Sequence, residues 1–113
     1  MIENYQFGEI VVYGRRYRSD IKIIAGEVIT GWWRREGHVL SVTDIEDILA
    51  ASPEVLVVGT GSTGNMKVDD DLRRYLAGLG IILIEQPTAA GAATFNSLFK
   101  SRRNVAGAFH LTC

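Results

Sequence analysis

Cysteine occurs once in this 113-residue chain, at Cys113, so no internal disulfide and no cysteine-based metal cluster can form. Histidine is almost as scarce. His38 and His110 stand far apart and show none of the ligand spacings of a zinc site, so no metal is expected. No apolar run approaches the roughly 20 residues needed to cross a bilayer, and Met1-Ile2-Glu3-Asn4 lacks the basic-then-apolar pattern of a signal peptide. The expectation is therefore a cytoplasmic protein with no membrane contact. An excess of either charge is also missing: twelve basic and thirteen acidic residues give a formal charge of −1, too little field to hold nucleic acid. What the chain does have is 47% hydrophobic residues, enough for one self-sufficient core, so residues 1–113 are read as a single domain.

The first forty residues pattern as antiparallel strands. Glu9 to Tyr13 is apolar and β-branched, Gly14-Arg15 suits a tight turn, and Tyr17, Ile21, Ile23 and Ile24 alternate with Arg18, Asp20 and Lys22. After Ser41 the texture changes to helices alternating with strands. Thr43-Asp44-Ile45-Glu46 has capping-box spacing for a short helix that Ser52-Pro53 ends, before an apolar strand Val55 to Val58. Val68, Leu72, Tyr75, Leu76 and Leu79 recur at helical spacing, with Asp69 to Asp71 at the positive end of that helix. Strand Ile81 to Glu85, a helix from Pro87-Thr88 to about Lys100, and a closing strand Val105 to Leu111 complete the chain. The order predicts an α/β three-layer sandwich on a mixed, mainly parallel sheet with an N-terminal antiparallel β portion.

Gly59, Gly61 and Gly64 spell G-x-G-x-x-G directly after an apolar strand, and Glu85 follows at the end of the next strand, as in a dinucleotide-binding fingerprint. The context argues otherwise. A true fingerprint starts its helix within the glycines, whereas Asn65-Met66-Lys67 intervene here and Asp69, Asp70 and Asp71 occupy the dipole end a phosphate would need. Asn65 after Gly64 also excludes a Walker loop. No nucleotide cofactor is expected, and the glycines are read as serving a sharp turn.

Parallel strands offer ligand sites at their carboxyl ends. That edge collects Gly59, Thr60, Gly61, Ser62, Thr63 and Asn65 from one loop, and Thr88 and Asn96 from the next, as candidates for holding a small polar ligand. Thr88 equally suits a helix N-cap, and Asn96 a backbone clamp. Trp32, Trp33, Arg34 and Arg35 combine aromatic and guanidinium groups as interface residues do, and are candidates for contact with a protein partner or a second copy. No catalytic residue stands out. Ser62 and Ser97 have no evident base, and neither histidine has an evident orienting partner.

In order and spacing, Trp32-Trp33-Arg34 with His38, then VLVVGTGSTGNMKV, TAAGAATFN and RRNVAGAFHL, resemble the Mth938-like domain family from about Ile21 to Leu111. That family includes small archaeal and bacterial proteins, an adipogenesis-associated protein of animals and a mitochondrial complex I assembly factor. The resemblance implies a three-layer fold around a mixed sheet and no established catalytic chemistry. Some relatives have a cysteine where this chain has Ala92, so thiol chemistry there is not implied. The expectation is a binding or assembly module with a polar-ligand pocket at the Gly59 to Asn65 loop. A small-molecule enzyme using the same pocket is the alternative.

Overall fold

The structure, a computed structural model, describes residues 1–32 and 34–113; Trp33, expected at an interface, lies outside the described residues. An antiparallel meander opens the chain, built from β1 (Ile2–Gln6), β2 (Glu9–Val12) and β3 (Arg15–Tyr17). A hairpin follows, β4 (Ile21–Ile24) and β5 (Glu27–Thr30), whose two turn residues Ala25 and Gly26 both have positive φ, the turn geometry that matches strand twist.

The hairpin joins the main sheet through its first strand. β7 (Val55–Thr60), β9 (Ile82–Gln86) and β10 (Val105–His110) complete a five-stranded sheet in the order β5-β4-β10-β7-β9. β10 runs antiparallel to β4 and parallel to β7, and β7 runs parallel to β9. β7 and β10 are buried along their whole length, as expected of strands covered on both faces.

Alternation along the strands divides the core in two. Val55, Val57, Val105 and Phe109 face α3 (Thr88–Lys100) and the meander, packing on Ala92, Phe95, Ile10 and Val12. Leu56, Val58, Ala106 and Ala108 face the other side, where α1 (Glu46–Ala50) and α2 (Asp70–Gly78) contribute Ile48, Leu72 and Leu76. The α2 crossover steps outward from β7 to β9, and the α3 crossover steps back across the sheet to β10. A common hand for both therefore puts the helices on opposite faces. A two-residue parallel pair, β6 (Val39–Leu40) with β8 (Lys67–Val68), edges the α2 side.

Local readings needed adjustment in three places. Val68, assigned by periodicity to the helix, pairs in β8, and α2 starts only at Asp70 after Asp69 as N-cap. Tyr75 and Leu79, placed on the same apolar face as Leu72 and Leu76, are exposed, whereas Leu72 and Leu76 are buried. The capping box stands two residues earlier than expected: the Asp44 carboxylate accepts from Ser41 N–H at 2.9 Å and from the Ser41 hydroxyl at 3.0 Å, at the start of a 3-10 turn over Val42–Ile45.

Candidate functional site

The two loops at the carboxyl ends of β7 and β9 are stitched together. Thr88, fully buried, accepts the Gly61 N–H on its hydroxyl oxygen at 2.9 Å and donates that hydroxyl to the His110 carbonyl at 2.5 Å. Its own N–H returns to the Gly61 carbonyl at 3.0 Å. Gly59 is glycine because a Cβ there would lie 2.8 Å from the Phe109 ring and 3.2 Å from Thr88 Cα. Gly61, at φ +106°, would drive a Cβ to 2.7 Å from the Thr112 carbonyl. Close packing of β7, α3 and β10 therefore accounts for both glycines. The acidic residue of the fingerprint is also engaged: Arg73 Nε and Nη2 donate to the two carboxylate oxygens of Glu85, each at 2.8 Å. Asp70 and Asp71 pair with Arg73 and Arg74 of their own helix.

Of the residues expected to line a ligand pocket, Gly59, Thr60, Gly61 and Thr88 come together but lie buried, with the Thr88 hydroxyl already committed. Ser62, Thr63 and Asn65 are exposed at the crest of the loop. Asn96 is elsewhere. Its amide accepts Ile2 N–H at 2.9 Å and donates to the Ile2 carbonyl at 2.7 Å, clamping β1 onto α3.

A different polar cluster sits beneath that loop, on the α2 side of the sheet. The β4–β10 ladder pairs Ile21 with Phe109, so one step beyond it Asp20 meets His110. Asp20 Oδ2 lies 2.8 Å from His110 Nδ1 and 2.5 Å from Arg34 Nη1, and Oδ1 accepts the Leu111 N–H at 2.9 Å. Burial pushes the Asp20 carboxyl upward, but hydrogen bonds from His110, Arg34 and Leu111 outweigh it and hold the group below the usual carboxylate range. Arg34 continues the network, donating Nε–H to the Gly37 carbonyl at 2.9 Å and lying over the Trp32 ring at 5.0 Å. Lys22 approaches the same ring at 5.1 Å, its ammonium donating to Asp47 at 2.9 Å and to the Asp44 carbonyl at 3.1 Å.

Two buried polar atoms of this cluster have no hydrogen-bond partner among the described residues: His110 Nε2 and Trp32 Nε1. Buried side-chain donors and acceptors are usually satisfied, so their coincidence around one arginine marks the place. A cleft of about 420 Å³ opens there, lined by Asp20, Trp32, Arg34, Arg35 and Gly37. It adjoins, through Arg35, a groove of about 750 Å³ bordered by Glu36, Ser41, Thr43, Asp69 and Asp71.

Trp32, Arg34 and Arg35, read from sequence as interface residues, thus form the wall of a cleft. Asp20 and Lys22 were read only as charged residues interleaved with the apolar ones of an extended segment. Because β4 lies inside the sheet, both of its faces are covered, and an isoleucine-flanked lysine in such a strand must be buried and paired. His110 does have an orienting partner, Asp20, and strand register brings it there from 90 residues away.

A family model described as protein of unknown function (DUF498/DUF598) matches residues 2–110. Among solved structures, the conserved hypothetical protein PH1505 of Pyrococcus horikoshii OT3 is 24% identical with a TM-score of 0.85, the match covering 100% of this chain and 99% of that one. MT938 is 25% identical with a TM-score of 0.79, over 100% and 98% of the two chains. A Mth938-like domain protein of Bordetella pertussis, solved in solution, is 23% identical with a TM-score of 0.72, over 98% and 85%.

Proposed function

Since the chain belongs to the Mth938-like family of DUF498/DUF598 proteins, whose description assigns no activity, we propose from its own geometry that it is a binding module for a small polar ligand. Its site is the cleft of Asp20, Trp32, Arg34, Arg35 and Gly37. The observation that carries this reading is the guanidinium of Arg34, whose side chain is only 8% exposed yet borders an open cleft beside two unpartnered buried nitrogens. A buried arginine costs desolvation energy, and Asp20 offsets it while fixing the fork in place. Outside the cleft lining, the exposed Ser62, Thr63 and Asn65 of the glycine loop remain available to a protein partner or second copy. Among the described residues, no helix is long and apolar enough to cross a membrane.

Fragment screening with amide and indole chemical-shift mapping tests the reading. Hits should move Arg35, Gly37 and the Trp32 indole. Hits confined to Ser62, Thr63 and Asn65 would instead place binding on the loop crest.

A small-molecule enzyme is the second reading, favoured by one specific arrangement: a carboxylate-oriented imidazole whose Nε2 is unpartnered. It requires the glycine loop to lift from the buried ring. If it holds, Asp20→Asn and His110→Gln should abolish whatever turnover a panel of ester and amide probes reveals. Turnover unchanged in both variants would dispose of it.

A further inference from the structure

Resting on the cleft reading, we infer that the ligand class of this site is a small monocarboxylate, bound by the Arg34 guanidinium through Nη2 beside the Trp32 ring. The argument is a donor count. Arg34 Nε–H is used by the Gly37 carbonyl, and Nη1 by Asp20. Nη2 lies 3.1 Å from His110 Nδ1, the same nitrogen that lies 2.8 Å from Asp20. An imidazole nitrogen can donate to Asp20 or accept from Arg34, not both. The carboxylate decides the matter, since a bare Nδ1 lone pair facing Asp20 Oδ2 would be repelled, whereas an Nδ1–H is attracted. With the proton on Nδ1, the Nη2 hydrogens have no acceptor there. The indole N–H of Trp32, whose ring lies under the same guanidinium, has none either. An arginine that borders a cleft with Nη2 hydrogens left over calls for a ligand rich in acceptors.

Charge sets its valence. Within the cleft lining itself, Asp20 offsets one of the two guanidinium charges, those of Arg34 and Arg35, so the lining carries one net positive charge, which suits a singly charged anion. Size and charge are limited from outside. The adjoining groove places Glu36, Asp69 and Asp71 around the same Arg35, so a polyphosphate or other extended polyanion reaching past the cleft would meet three carboxylates. A planar carboxylate also fits the fork of an arginine that Asp20 and Gly37 already hold in one orientation.

Acetate is the probe, acetamide its neutral isostere, and inorganic phosphate the control for general anion attraction. The readouts are the Trp32 indole N–H resonance and the ring nitrogen shifts of His110 in the intact protein. Acetate should shift the indole proton, a reporter beside the Arg34 guanidinium, and saturate at about millimolar concentration, with acetamide and phosphate weaker by about tenfold. Arg35→Gln leaves the Asp20–His110–Arg34 network untouched and should weaken acetate about tenfold by removing the surplus charge. Acetamide binding as tightly as acetate, or Arg35→Gln binding acetate unchanged, would overturn the carboxylate assignment. If neutral fragments still enter the cleft in that case, the binding reading survives without it. If no fragment of any charge does so, both fall.

Discussion

The hydroxyl of Thr88 serves the Gly61 N–H and the His110 carbonyl at once, and no apolar side chain can replace it. Thr88→Val preserves volume but leaves a buried N–H and carbonyl unpaired, so denaturant unfolding should show a loss of about 1–3 kcal/mol, while Thr88→Ser should lose clearly less. A null effect for Val would mean the loops are not joined through this residue. Gly59→Ala should cost a comparable amount, about 1–3 kcal/mol, because the Phe109 ring and the Thr88 backbone cannot both retreat. Asp20 adds a pH signature. Its folded-state pKa is depressed, so its contribution is complete above its unfolded value of about 3.9 and is lost as pH falls through the lower folded value. Asp20→Asn should therefore be destabilised most at neutral pH, and its stability should converge on that of the wild type as pH drops below about 4. Parallel stability curves for the two proteins would contradict the network.

Elements were legible wherever burial is continuous. Val55 to Val58, Val105 to Leu111 and the alanine-rich helix from Thr88 could be read directly, because strands covered on both faces and a helix packed closely on them leave uninterrupted apolar or small-residue runs. Short or half-covered elements were harder. β1 has only Ile2 fully buried and takes its place from tertiary contacts, chiefly the Asn96 clamp that no local pattern announces. Val68 fits a helical period by coincidence, since one apolar residue inside a two-residue strand cannot show alternation. The clamp yields a prediction at this scale: Asn96→Ala should speed amide exchange across β1 to β3 while leaving β7 and β10 protected, at a cost of about 1–3 kcal/mol. Uniform loss of protection through the whole sheet would show that the meander does not open independently.

For the molecule as a whole, the fold was readable and the site only half so. Trp32, Arg34 and Arg35 drew attention by residue type, but Asp20 and His110 meet only because β4 runs antiparallel to β10, and that register is invisible in two residues 90 positions apart. The glycine string was read from its context as a sharp turn and not as a nucleotide loop. Its letters match a nucleotide loop, while its glycines answer to Phe109, Thr88 and the Thr112 carbonyl. The central claim is that the ligand site lies in front of Arg34 and not on that loop, and a crystal structure determined with and without acetate tests it most directly. The account predicts carboxylate density in the cleft, within hydrogen-bond reach of Arg34 Nη2, with Gly61 and Thr88 unmoved. Density seated instead on Ser62, Thr63 and Asn65 beside an empty cleft would contradict it.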